Sequence, residues 1–165
     1  MKIPRGEVVL IDTNVILEAY RTVCWKHLAG FFVLKTTNAC VVECETGNQR
    51  RGVPIPVDIA ILRTTAHIES VNEEQIAELR FTLAGKVSLD PGEEALIAYA
   101  CRHPNAWVIC SPDKAAVRAC FILGFLDRIV ALEDLTESSG IAVDLRRNYT
   151  RNRLANFRTD LLLEL

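Results

Sequence analysis

Apolar and polar positions in this chain alternate between short unbroken apolar runs and longer mixed stretches, the pattern of buried parallel strands separated by helices. The clearest case is Val8-Val9-Leu10-Ile11, which runs into Asp12-Thr13-Asn14 before a second apolar run, Val15 to Leu17, resumes. The first run predicts a strand, and Asn14 to Trp25 predicts the first helix. Phe31 to Thr37 reads as a second strand, with Asn38 placed to N-cap a helix through about Glu45 that Gly47 stops. Gly47 to Pro56, with two glycines, two prolines and Arg50-Arg51, reads as a loop too short to divide domains. Val57 to Thr65 is read as helical and His67 to Val71 as a short strand. Asn72 followed by Gln75 is a capping-box pattern opening a helix through Leu83, ended by Gly85. Asp90-Pro91-Gly92-Glu93 repeats that signal before a helix to His103, with Pro104 beyond it. Ala106 to Cys110 predicts a strand, Ser111-Pro112-Asp113 opens a helix to Leu123, and Leu126 to Leu132 predicts the last strand. Arg146 to Leu165 reads as a basic amphipathic helix with Leu154, Phe157, Leu161 and Leu165 on one stripe. Strands alternating with helices imply βαβ units, hence an α/β fold with a parallel sheet of four to five strands layered between helices.

Composition narrows the reading without redirecting it. A chain of 165 residues, 50% of them hydrophobic, is one domain over 1–165 with a real core. No apolar run is long enough to cross a bilayer and the charged start is no signal peptide, so a cytoplasmic location without membrane contact is expected. The formal net charge of -2 leaves nucleic-acid binding open, because such binding needs a local basic patch. Six cysteines, at positions 24, 40, 44, 101, 110 and 120, form no CxxC pair and have no histidine at a zinc-like spacing. Cys40 and Cys44 share a helix face, but buried free thiols in a reducing compartment are the favoured reading.

Chemistry enters with the acids. Asp12 and Asp113 each follow a predicted strand, Glu43 or Glu45 lies on the helix after the second strand, and Glu93 lies near a helix start. A parallel sheet gathers such positions at the carboxyl ends of its strands, where open α/β sheets bind ligands. Clustered carboxylates repel one another and are tolerated mainly around a divalent cation. Oxygen donors of this kind suit Mg²⁺ or Mn²⁺, whereas zinc would want histidine or cysteine. Each acid also has a plain structural role: Asp12 can N-cap a helix, Glu93 can complete a capping box with Asp90, and Asp113 can sit at a helix dipole. Spacing puts Glu93 on a stripe with Leu96, Ile97 and Ala100, with Glu94 displaced by one; it leaves Glu43 and Glu45 undecided.

Four blocks in order, VVLIDTNVIL, TTNACVVECETG, LDPGEEALIAYA and VICSPDKAAV, resemble the PIN-domain nucleases, metal-dependent ribonucleases that include many toxins of toxin-antitoxin pairs. The resemblance implies a PIN-like three-layer α/β/α sandwich. Residue by residue it matches Asp12, Glu43, Glu93 and Asp113 to the family's acids. These would bind one or two Mg²⁺ or Mn²⁺ ions and hydrolyse RNA phosphodiesters. Thr13, Asn14 and Ser111 would support the acids or a phosphate by hydrogen bonds. Lys114, Arg118, Arg50 and Arg51 are candidates for holding RNA at the rim. An antitoxin partner and a homodimer are further implications. Pro112 stands where the family often has a polar residue, and nothing beyond about Asp134 has a counterpart. The five arginines of the tail, at 146, 147, 151, 153 and 158, either touch a nucleic-acid backbone or ride on a helix that docks by its leucines; docking is the favoured reading.

Two rivals remain open. A haloacid-dehalogenase-like phosphatase also begins with an Asp after a strand, but it wants a second Asp two residues on, where this chain has Asn14. A PIN-like scaffold that binds RNA or protein without cutting is the non-enzyme alternative.

Overall fold

The computed structural model describes residues 2–46, 54–103 and 105–165. Its strands are β1 (Val8–Ile11), β2 (Val33–Thr37), β3 (His67–Glu69), β4 (Val108–Cys110) and β5 (Ile129–Val130). They pair in parallel in the order β3-β2-β1-β4-β5. Val9, on the central strand, lies beside Leu34 of β2 and Val108 of β4. Nine α-helices are found among the described residues: α1 (Thr13–Arg21), α2 (Trp25–Phe31), α3 (Asn38–Glu45), α4 (Ile59–Thr65), α5 (Glu73–Leu83), α6 (Pro91–Arg102), α7 (Lys114–Ile122), α8 (Leu132–Ser138) and α9 (Arg151–Leu163). A single 3-10 turn, Arg147–Tyr149, precedes α9.

The sheet divides two cores. Val9 and Ile11 point into one with Val15, Leu28, Val41, Leu62 and Leu135, from α1, α2, α3, α4 and α8. Leu10 points into the other with Leu79, Leu96, Val117, Leu154 and Phe157, from α5, α6, α7 and α9. The period-2 alternation of β1 thus serves both sides, giving the three-layer α/β/α architecture with a parallel sheet that the hydrophobic pattern predicts. The first three strands extend from β1 in one direction and β4 is laid down on its other side, so the order reverses between β1 and β4. That reversal splays the two following connections apart and leaves a crevice at the strands' carboxyl ends.

Several boundaries differ from the sequence reading, each for a local reason. The expected helix over Asn14 to Trp25 breaks after Arg21: Val23 adopts a left-handed φ of 58°, Cys24 N–H donates to Ala19 O at 2.9 Å and Val23 N–H to Tyr20 O at 3.2 Å. This is a Schellman-type ending made without glycine. The chain then starts α2, which takes Phe31 out of the second strand. The N-cap of α3 is Thr37, whose hydroxyl accepts from Cys40 N–H, and Asn38 is already helical. The strand expected over Leu126 to Leu132 is two residues long, and an unforeseen helix, α8, follows it. That helix starts at Ala131, which has no capping side chain; Asp134 supplies half a capping box by accepting from Ala131 N–H at 3.0 Å. The tail helix begins five residues late, at Arg151, and Leu165 is exposed while Leu154, Phe157 and Leu161 are buried. The expected stop at Gly47, the pair Arg50-Arg51 and Pro104 lie outside the described residues. No helix among the described residues is long and apolar enough to cross a membrane.

Candidate metal centre

Three carboxylates meet at the crevice beside β1. Asp12 ends β1 and Asp113 follows β4, and each occupies the N-cap position of the next helix without making a side-chain capping bond. The capping role that the sequence opens to Asp12 is therefore unused, Asp113 keeps its place at the helix start, and the oxygens of both are left to the crevice. Glu93, the third residue of α6, does complete the capping box: its Oε2 accepts from Asp90 N–H at 3.1 Å, while Asp90 Oδ1 accepts from Glu93 N–H at 2.8 Å. The box fixes the Glu93 side chain beside the sheet. One oxygen from each of Asp12, Glu93 and Asp113 lies within 4.8 Å of the others, so this acidic triad can hold a metal ion. Asp12 is 1% exposed and Glu93 5%.

Hydrogen bonds fix the orientation. Ser111 Oγ donates to Asp12 Oδ2 at 3.2 Å, and Asn14 Nδ2 donates to Asp113 Oδ2 at 2.9 Å. Asp12 N–H in turn donates to Cys110 O at 3.2 Å, extending the β1–β4 ladder to the acid itself. Thr13 turns its hydroxyl to Glu43, donating to Oε2 at 2.7 Å, and Glu43 Oε1 accepts from Gly92 N–H at 2.7 Å. Glu43, matched by the resemblance to a metal ligand, is thus no member of the converging triad; it ties the starts of α1 and α6 to α3. The approach is possible because Gly92 has no side chain: a Cβ there would stand 2.7 Å from Glu43 Oε1. The two spacing ambiguities have plain geometries. Glu45 is exposed, 3.7 Å from Arg63, and Glu94 is turned to Arg80 at 2.7 Å, away from the triad.

Without a cation the triad is electrostatically strained. Burial pushes the Asp12 carboxyl up to about 8, and the charges of Asp113, Asp90 and Glu43 push the same way against the Ser111 hydrogen bond. Burial likewise holds the Glu93 carboxyl far above the usual range, reinforced by the charge of Asp12 and by a side-chain hydrogen bond with Asp113. Such groups ionise together only when positive charge joins them. Neighbouring sulfur is no competitor, because burial pushes the Cys40 thiol up to about 11, with Asp12 adding to the effect. An all-oxygen donor set of two Asp and one Glu fits a hard divalent cation.

The crevice continues into a polar recess of about 250 Å³ lined by Asn14, Asp90, Pro112, Asp113, Arg146, Asn148 and Tyr149. Sequence reasoning gave Asp90 only a capping role, and its second position at the edge of the site carries no separate signal. Arg146 and Asn148 arrive from the far end of the chain, and only the folded-back tail brings them here. The expected rim cations are dispersed. Lys114 is exposed at the first residue of α7, Arg118 is paired with Glu164 at 2.8 Å, and Arg50 and Arg51 lie outside the described residues. Within the tail, Arg151 is bound by Asp134 and Glu137, Arg153 stacks 4.4 Å from the Phe157 ring centre, and Arg158 donates to the carbonyls of Leu126 and Ile129. Arg151 and Arg158 serve the docking of α9, and Arg153 is engaged within the helix itself. No protein-family model and no curated protein matches this chain.

Proposed function

We infer that this chain is a metal-dependent ribonuclease of the PIN type. The observation that carries the reading is the meeting of Asp12, Glu93 and Asp113 at the switch between β1 and β4, with their oxygens within 4.8 Å of one another. The order of the four acid-bearing blocks along the chain supports it. One or two Mg²⁺ or Mn²⁺ ions held by the triad supply, when bound, charge stabilisation for a phosphodiester and an activated water. The protein's part is positional. Asp12, at the strand end, is the deepest ligand, and Ser111 holds its orientation. Asn14 keeps Asp113 turned inward with an N–H donor, a task an aspartate at that position could not perform, which favours the nuclease reading over a phosphatase with two aspartates. Glu43 is a positioning residue that locks the starts of α1 and α6 in register. The recess beside Asp113 gives the substrate backbone its way in.

The test is cleavage of a labelled single-stranded RNA with Mg²⁺, with Mn²⁺ and with EDTA, beside Asp12→Asn. Metal-dependent cutting is expected, about 100-fold or more slower in the variant, as when one element of a metal-bound water site is removed. Equal cutting by both proteins would place the activity elsewhere. RNA binding with no cutting by either would leave the non-cutting scaffold.

A further inference from the structure

We propose that Arg146, carried by the segment between α8 and α9, is the phosphate anchor of this site, gripping the backbone of single-stranded RNA beside the carboxylate triad. The proposal deepens the nuclease reading and rests on it. Among the tail's arginines, Arg151, Arg153 and Arg158 are engaged with acids, a ring and carbonyls. Arg146 lines the recess with Asn14, Asp90 and Asp113, and its guanidinium makes no hydrogen bond, ion pair or ring contact among the described residues. A cation without a partner that borders an acidic site is where a polyanion is received, because metal and arginine together offset the phosphates' charge. The planar guanidinium also matches phosphate with two parallel donors.

The anchor's position is built in. Arg146 N–H donates to Glu18 Oε1 at 3.0 Å, and Glu18, 0% exposed on α1, also binds Arg21 at 2.5 Å. Arg21 in turn donates to Asp144 O at 3.0 Å, and Tyr149 N–H closes the following turn on Arg146 O at 3.0 Å. The backbone that bears the guanidinium is therefore clamped to the same helix that starts beside Asp12. The clamp uses the fully buried carboxylate of Glu18 and fixes the backbone from which the guanidinium reaches the recess. Such prior placement removes ordering cost from substrate binding. Asn148, at the same recess, adds an amide donor. The contact reads phosphate and not base, so it is blind to sequence and sensitive to salt.

The experiment measures anisotropy of a short labelled oligouridylate with the full chain in Ca²⁺, across a salt series, for wild type, Arg146→Ala, Arg146→Lys and Arg147→Ala. Arg146→Ala is expected to weaken binding about 10-fold, as for loss of a charge-assisted bond, and to flatten the log–log salt slope by about 0.7, the value for one single-strand phosphate contact. Arg146→Lys keeps the slope and recovers part of the affinity, and Arg147→Ala stays within about 2-fold of wild type. In Mg²⁺ the cleavage KM of Arg146→Ala rises while kcat is nearly unchanged. Wild-type affinity and slope in Arg146→Ala would overturn the anchor whether or not the protein cuts RNA. Absence of RNA binding by the wild type would overturn it too. Arg146-dependent binding by a protein that does not cut would keep the anchor and remove the nuclease.

Discussion

Glu43 and Gly92 show how single residues set this site. The two Glu43 oxygens accept from Thr13 Oγ1 and Gly92 N–H, each at 2.7 Å, and a methyl on Gly92 would occupy the same space. The obstructing atom is the end of a side chain, so Gly92→Ala should fold with Glu43 swung aside. Loss of its hydrogen bonds is expected to cost about 1 kcal/mol, read as a Tm lower by about 3 °C. The metal-dependent cleavage rate should fall about 10-fold, as when a group orienting metal ligands is lost. Cleavage at the wild-type rate would remove Glu43 from the positioning scheme. At this scale the sequence was legible where a residue's role follows from its place in a local motif. Asp12 and Asp113 end strands, and Glu93 completes a box with Asp90, all within a few residues of their signals. Glu43 was less legible: helical spacing shows a face, but it cannot show that a glycine forty-nine positions away opens an amide to it. Arg146 was illegible for the same reason, since its neighbours at the site come from three other segments of the chain.

Between elements, the contact that keeps α9 in place is the clamp of Arg151. Its side chain reaches Asp134 and Glu137 on α8, and its N–H donates to Glu133 Oε2 at 2.6 Å. Asp134 is 4% exposed and also caps Ala131, so removing the guanidinium leaves a buried carboxylate with less than its native share of donors. Arg151→Ala is therefore expected to destabilise by about 2 kcal/mol, a Tm drop of about 6 °C, after discounting for the half-exposed arginine. Arg118→Ala, which breaks an exposed pair with Glu164, should shift Tm by no more than about 2 °C. Equal shifts in the two variants would show that the clamp is no more than a surface ion pair. The elements themselves divide by the kind of signal they carry. Helices α5 and α6 were readable because side chains cap them; α8 was missed because its start is an alanine and its only cap reaches back from inside the helix. The break between α1 and α2 was missed because a valine, not a glycine, takes the left-handed position.

At the scale of the whole molecule, the site exists because the strand order reverses beside β1, and its acids couple metal, protons and stability. The unfolded chain releases the Asp12 proton near the ordinary value of 3.8, whereas the folded, metal-free protein holds it to about 8. Between those limits the folded state binds more protons than the unfolded state, so stability falls as pH rises and levels off above the folded value. Burial of Glu93 adds in the same direction. Thermal unfolding in EDTA is thus expected to show Tm lower by about 5 °C or more at pH 8 than at pH 5. Binding of Mg²⁺ or Mn²⁺ requires the ionised carboxylates, so it releases protons and stabilises progressively more as pH rises. With saturating Mn²⁺ the downward slope should flatten or reverse. Asp12→Asn removes the buried charge and a ligand together, so its Tm in EDTA should be less dependent on pH and should gain little from Mn²⁺. A wild-type Tm that rises from pH 5 to pH 8 in EDTA would mean that the triad is ionised without a cation. Burial of the triad would then demand no cation, even with the three oxygens as close as they are.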